Sequence, residues 1–151
     1  MLDDRDRRLL RRLQADPGQP MAELAEAVRL PLATCYARLE RLQAQGVLKG
    51  QRMEIAWAAL GYSVQVSLRI TLDKTDPRAF DEFIAAAREV PEVTEIQTFL
   101  GRVDTRLAVI ARGMAHYQEV YRDRILTLPH IADIEALMHV ASIKNHETLP
   151  I

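Results

Sequence analysis

The sequence predicts an α+β chain with three short helices first and then elements in the order β-α-β-β-α-β. Three observations predict it. Up to residue 46, apolar residues recur every three or four positions and are interrupted by proline and glycine. After residue 62, strict two-residue alternation alternates with helical spacing. Charge divides along the same line: residues 1–53 hold ten Lys/Arg against seven Asp/Glu, and residues 54–151 ten against fourteen, +3 against −4. An anionic partner would therefore meet the first part.

Asp3 can cap a first helix over about residues 3–15, with Leu9, Leu10 and Leu13 on one face, stopped by Asp16-Pro17-Gly18. Pro20 suits a first helical position, and Met21, Leu24, Ala25 and Val28 give a second helix over about residues 20–28. Arg29-Leu30-Pro31 breaks the run. A third helix carries Cys35, Leu39 and Leu42 inward and ends at Gln45-Gly46, glycine serving as left-handed cap. Residues 47–53 alternate and predict a hairpin. Two short helices joined by a tight turn, with a third before and a hairpin after, predict a winged helix-turn-helix over residues 1–53.

With Cys35, Leu39 and Leu42 inward, Thr34, Arg38, Arg41 and Gln45 fall on one flank beside Ala33 and Ala37. Thr34 and Arg38 are the candidates for base contact and Arg41 for base or phosphate. Lys49 and Arg52 on the hairpin are phosphate candidates, as are Arg7, Arg8, Arg11 and Arg12, although Asp3, Asp4 and Asp6 partly cancel that group. Tyr36 lies off both faces, either packing on the first helix or reaching the DNA backbone. Cys35, the single cysteine, sits on the apolar stripe as a small hydrophobe and excludes an intrachain disulfide.

Residues 54–61 read as a linker and 62–151 as a second domain. Val64 to Leu72 alternates as a half-buried strand. Asp76-Pro77 opens a helix with Phe80, Phe83, Ile84 and Ala87 on one face, closed at Val90-Pro91. Val93 to Leu100 and Thr105 to Ala111 form a hairpin across Gly101–Asp104. Met114, Tyr117, Tyr121, Ile125 and Leu128 mark another helix, and Ile131 to Ile143 a last strand. This is the ferredoxin-like order, an antiparallel sheet with both helices on one face. Its other face, holding Leu137, Ala141 and Ile143, is expected to be too apolar for water, so a second copy would cover it.

Taken together, the segments LDDRDRRLLRRLQAD, MAELAEAVRL, TCYARLERLQAQGVLKG, ALGY (59–62) and LGRVD (100–104) resemble the Lrp/AsnC family of bacterial and archaeal transcription regulators over nearly the whole chain. The resemblance implies an effector and dimerisation domain, dimers joined through the C-terminal sheets, assemblies such as octamers, and a small effector, typically an amino acid, bound between dimers. Gly101 and Asp104 match the glycine and aspartate of that effector turn; Asp104 would hold a ligand ammonium and the backbone at Gly101 its carboxylate. Val103 and Thr105 stand where the family has aromatic residues, and Ile134 and Ala136 where it has Ser or Thr, so the pocket is expected to be less polar than usual. Pro31 and Ala37 replace a usual Ser and a basic residue, which implies fewer direct base contacts and more reading of DNA deformability.

No phosphate loop, H-E-x-x-H or nucleophile elbow is present, so no catalytic residue and no cofactor is expected. His116, His130, His139 and His146 are scattered; His139 with Glu135 or Asp133 is the one weak metal candidate, and no metal is assigned. The alternatives to an effector-sensing regulator are a metal-responsive or ligand-independent architectural DNA-binding protein, or a module whose basic helix meets an acidic protein. The charged opening MLDDRDRRLL and the absence of a long apolar run predict a cytoplasmic protein without a membrane partner.

Overall fold

The structure, a computed structural model, describes residues 2–145 and 148–151. His146 lies outside them. The described residues divide into two compact units, Ile55–Ile143 and the remainder.

The first unit holds α1 (Asp4–Ala15), α2 (Met21–Val28) and α3 (Leu32–Ala44). Leu9, Leu10, Leu24, Ala25, Val28, Cys35, Leu39 and Leu42 form its core. The α2–α3 turn needs a left-handed residue, and Arg29 supplies it at φ 55°. Leu30 N–H then donates to the Ala25 carbonyl at 2.9 Å, the bond that closes such a turn. Gly46, φ 69°, ends α3 in the same way, with Val47 N–H donating to the Leu42 carbonyl at 2.9 Å. Beyond it the expected hairpin does not form: residues 47–56 hold no strand, and of them only Leu48 packs on the core. Seven residues leave too little chain for two strands and a turn, and an isolated two-stranded ribbon has little to stabilise it. Ile151 packs against this core instead, its carbonyl accepting from Arg11 Nε.

The second unit begins with a 3₁₀ turn, Trp57–Leu60, released by Gly61 at φ 87°. It continues with β1 (Val64–Leu72), α4 (Ala79–Arg88), β2 (Val93–Thr98), β3 (Thr105–Ala111), α5 (Met114–Val120) and β4 (Ile131–Met138). The sheet order is β2-β3-β1-β4, antiparallel throughout. Phe83 and Ala87 of α4 and Tyr117 and Val120 of α5 share one core with Val66, Leu68, Ile70, Leu107 and Val109, so both helices lie on one face. Two helical stripes differ from expectation. Phe80 and Met114 are exposed, and Ala79 takes the inward place beside Phe83. After α5 the chain widens into a π turn, Tyr121–Ile125, which keeps Tyr117, Tyr121 and Ile125, spaced four apart, against the core.

β4 stops at Met138, five residues short of the expected end. Its partner β1 starts at Val64, and the last bond joins His139 N–H to the Gln65 carbonyl at 2.9 Å. Val140 and Ile143 are consequently almost fully exposed, at 99% and 94%. Ala141 and Ile143 lie beyond the strand, so the helix-free face keeps Leu137, Ala108 and the half-buried Ile110 among Gln65, Ser67, Arg69, Glu95, Gln97, Arg106 and Glu135. Arg69 and Arg106 face each other across β1 and β3, and each is neutralised from an outer strand. Arg106 Nη2 lies 2.7 Å from Glu95, and Arg69 Nη1 lies 3.5 Å from Glu135.

Phe83, fully buried between α4 and the sheet, is the largest core side chain. Phe83→Ala should lower stability to chemical denaturation by about 3 to 5 kcal/mol; a loss below about 1 kcal/mol would contradict a packed core at this site.

Candidate nucleic-acid interface and ligand turn

α1 starts with a reciprocal cap: Asp6 N–H donates to Asp3 Oδ1 at 2.8 Å, and Asp3 N–H to Asp6 Oδ2 at 3.1 Å. Local spacing supplies this pairing, since the third residue of a helix can reach back to the residue that caps it. The same two carboxylates also take the cations of α3. Arg38 Nη1 lies 2.7 Å from both Asp3 Oδ2 and Asp6 Oδ1, and Arg41 Nη2 lies 2.6 Å from Asp6 Oδ2. Asp6 is fully buried, and the Arg38 side chain is only 16% exposed. Acids expected to offset the arginines of α1 thus offset those of α3.

Burial makes this cluster energetically coupled. A buried carboxylate needs both cations, and each cation loses hydration to reach it. The bonds to Asp6 N–H and then to Arg38 hold the Asp3 carboxyl down at about 2, and Arg38 is correspondingly raised by Asp3 and Asp6. Arg38 Nε is buried without a hydrogen-bond partner among the described residues.

The outer surface of α3 is shallow at its first turns. Ala33 and Ala37 are exposed, Thr34 is half-buried, and with Arg38 and Arg41 they line an open hollow. Leu32 is 46% and Tyr36 50% exposed. Tyr36 therefore does not pack into the helical core. Lys49 and Arg52 stand exposed on the segment after α3, and Arg7 and Arg8 on α1; Arg12 is bound to Gln19.

At the far end of the second unit, Gly101 to Asp104 join β2 and β3. Gly101 is exposed, and a Cβ added there would meet nothing within 4 Å. Asp104 is 93% buried from solvent, with both carboxylate oxygens engaged: Oδ2 accepts from Leu72 N–H at 2.8 Å, and Oδ1 lies 2.7 Å from Lys74 Nζ. The register of β1 shifts between Thr71 and Leu72, and β3 begins only opposite Ile70. The Asp104 side chain thus takes the place of a missing ladder acceptor. These bonds, Leu72 first, lower its pKa. Val103 is half-buried. Ile134 and Ala136 pair with Ile70 and Leu68 on the helix-bearing face; Ile134 packs against the core and Ala136 is exposed at the edge strand. Thr105, which pairs with Ile70 and Thr98, is fully buried, and its hydroxyl has no partner among the described residues.

Among the described residues, the weak candidate of His139 with Glu135 or Asp133 forms no three-ligand group; the group with ligand atoms within 4.8 Å of one another is Asp76, Glu82 and His130. His130 Nε2 lies 2.6 Å from Glu82, and Arg78 pairs with both carboxylates, at 3.2 and 3.7 Å. Those carboxylates already have their cation. Asp6, Lys74 and Thr105 are the site members that sequence reasoning missed as such. The Asp3-x-x-Asp6 spacing was visible, but nothing local marks a partner 32 residues away.

Asp6→Ala should destabilise the first unit by about 3 to 5 kcal/mol in thermal unfolding, because two arginines lose a buried partner. A change below about 1 kcal/mol would show that the cluster is not coupled to stability. Asp3 titrates lower folded than unfolded, so its contribution is complete above pH ~4 and lost as the pH falls towards about 2. Asp3→Asn should remove that acid-sensitive component from melts recorded between those values.

Comparison with known proteins extends these observations. Residues 2–49 match the winged helix-turn-helix DNA-binding family, and residues 65–149 match the Lrp/AsnC ligand binding domain. The chain is 32% identical over 132 residues to the proline dehydrogenase transcriptional activator of Rhodobacter capsulatus, covering 87% of this chain and 86% of that one. It is 30% identical over 151 residues to the DNA-binding transcriptional activator DecR of Escherichia coli K12, covering 100% and 99%. An AsnC family regulator from Agrobacterium tumefaciens superimposes with a TM-score of 0.88 at 28% identity, covering 99% and 97%. A Neisseria meningitidis regulator crystallised as an L-Met complex gives 0.91 at 24% identity over 99% and 97%. No helix among the described residues is long and apolar enough to cross a membrane. With its helix-turn-helix and ligand-binding domains matched in order and its relatives regulators rather than enzymes, this chain belongs to the Lrp/AsnC family of DNA-binding transcription regulators.

Proposed function

We propose that the chain acts in pairs or larger assemblies of pairs, with α3 of each copy in a DNA major groove and an amino acid or similar small effector at the Gly101–Asp104 turn. The exposed, small-residue face of α3 carries the DNA part of this reading: Ala33 and Ala37 let the helix approach a groove closely, and Thr34 and Tyr36 flank them. Lys49, Arg52, Arg7 and Arg8, exposed around it, suit phosphate contact. Arg38 and Arg41 serve chiefly to hold α3 on α1, with the half-exposed Arg41 free to lend one edge to phosphate.

Pairing is supported by the sheet. Ser67 and Ala108, small and nearly buried at its centre, leave room for a second sheet, while the charges around them can pair across a two-fold axis. The exposed Val140 and Ile143 add apolar surface beside it. A two-fold pair would present two reading helices to a palindromic site.

The effector reading draws on relatives: the Neisseria regulator was crystallised with L-Met, and the Salmonella relative is a leucine-responsive regulatory protein. At this turn an effector ammonium would exchange with Lys74 at Asp104, and the open backbone at Gly101 would approach the carboxylate. Val103 suits an apolar side chain.

Fragments selected from random duplexes should share a palindrome, and unselective binding would sink the DNA reading. In a thermal-shift screen of amino acids, Lys74→Met should enlarge the shift given by the active ligand, since it frees Asp104. An equal shift in wild type and Lys74→Met would remove Asp104 from the effector contacts; Asp104→Ala alone does not decide this, because it also strips the acceptor from Leu72 N–H.

A further inference from the structure

Resting on the reading that α3 enters duplex DNA, we infer that it identifies its site by apolar contact with thymine methyl groups, made by Leu32, Tyr36 and the alanines between them. Arg38, the side chain best suited by position to read guanine, is only 16% exposed and spends its Nη1 on Asp3 and Asp6. Arg41 is bound to Asp6 through Nη2. A guanidinium held by a fully buried carboxylate has no inexpensive way to turn outward, since leaving would strand that charge.

What remains exposed along the first turns of the helix, Leu32, Ala33, Tyr36 and Ala37, is largely apolar, with Thr34 half-buried among them. Leu32 and Tyr36 lie one turn apart, 46% and 50% exposed, at the N-terminal end of α3. That end is the part of a reading helix that meets base edges. Ala33 and Ala37 beside them are exposed and too short to hold the groove floor away. Glu40, exposed on the next turn, offers no donor to guanine. Among the four base pairs, the thymine C5-methyl is the one apolar group in the major groove. An apolar ridge continuous with a DNA-entering face therefore fits thymine, and on it only the Tyr36 hydroxyl could donate to guanine.

The test replaces, one at a time, each thymine of a selected duplex by deoxyuridine, which keeps the pairing and removes only the methyl. Affinity of wild type should fall about fourfold at each contacted thymine, the worth of one buried methyl. Leu32→Ala or Tyr36→Ala should lose that sensitivity at its own thymines while binding the unsubstituted duplex more weakly. Tyr36→Phe, which keeps the ring, should retain it. Both side chains are half-exposed, so the variants should keep the wild-type circular dichroism and melting temperature. Wild type that selects a site yet ignores every uridine overturns the inference while leaving DNA recognition intact, as does Tyr36→Ala with an undiminished uridine effect. A Leu32→Ala or Tyr36→Ala variant that alters self-association in sedimentation and leaves the uridine response unchanged would make the ridge a protein contact and overturn it equally. Indifference of wild type to all duplex sequences would end the underlying DNA reading as well.

Discussion

Asp6, a carboxylate with no exposed surface, binds the start of α1 to the middle of α3. Charge cannot remain in such a place without cations and donors around it, and here Arg38, Arg41 and the backbone N–H of Asp3 provide them. The orientation of α3 against α1 follows from this demand as much as from Leu9, Leu39 and Leu42 packing below it. Its consequence is that Arg38 turns into the molecule, Arg41 stays half-exposed, and the alanines of α3 point out. A helix fixed in this way can enter a groove without reorganising.

A second carboxylate plays a comparable part in the other unit. Where β1 shifts register at Leu72 and β3 has not yet begun, Asp104 closes the gap by accepting the Leu72 N–H. Lys74 then balances its charge. A backbone group without a partner in a buried place is costly, so a side chain that repairs the ladder also pins the turn. The β2–β3 turn is thus held by a carboxylate that already has an ammonium partner.

The sheet face away from the helices shows how charge can do what an apolar layer was expected to do. Arg69 and Arg106 stand side by side on the two central strands, where like charges oppose each other unless screened. Glu135 and Glu95 on the flanking strands supply the screening. The result is a layer of alternating sign around Ser67 and Ala108.

Local chemistry within a few residues was legible in the chain: the helical stripes of Leu24, Val28 and Leu39, the alternation of Val66, Leu68 and Ile70, the stops at Pro17 and Gly46, and hence the α+β order of elements. These signals are legible because periodicity and turn propensity act between neighbours. The family resemblance was carried by the same short segments. Tertiary structure alone decided what those elements meet. It joined Arg38 to an aspartate 32 residues away, ended β4 at Met138, left residues 47–56 without a strand, and occupied Asp104 with Lys74. Each outcome depends on a partner distant in sequence, and the desolvation of a charge or of a backbone group is settled only when that partner is in place.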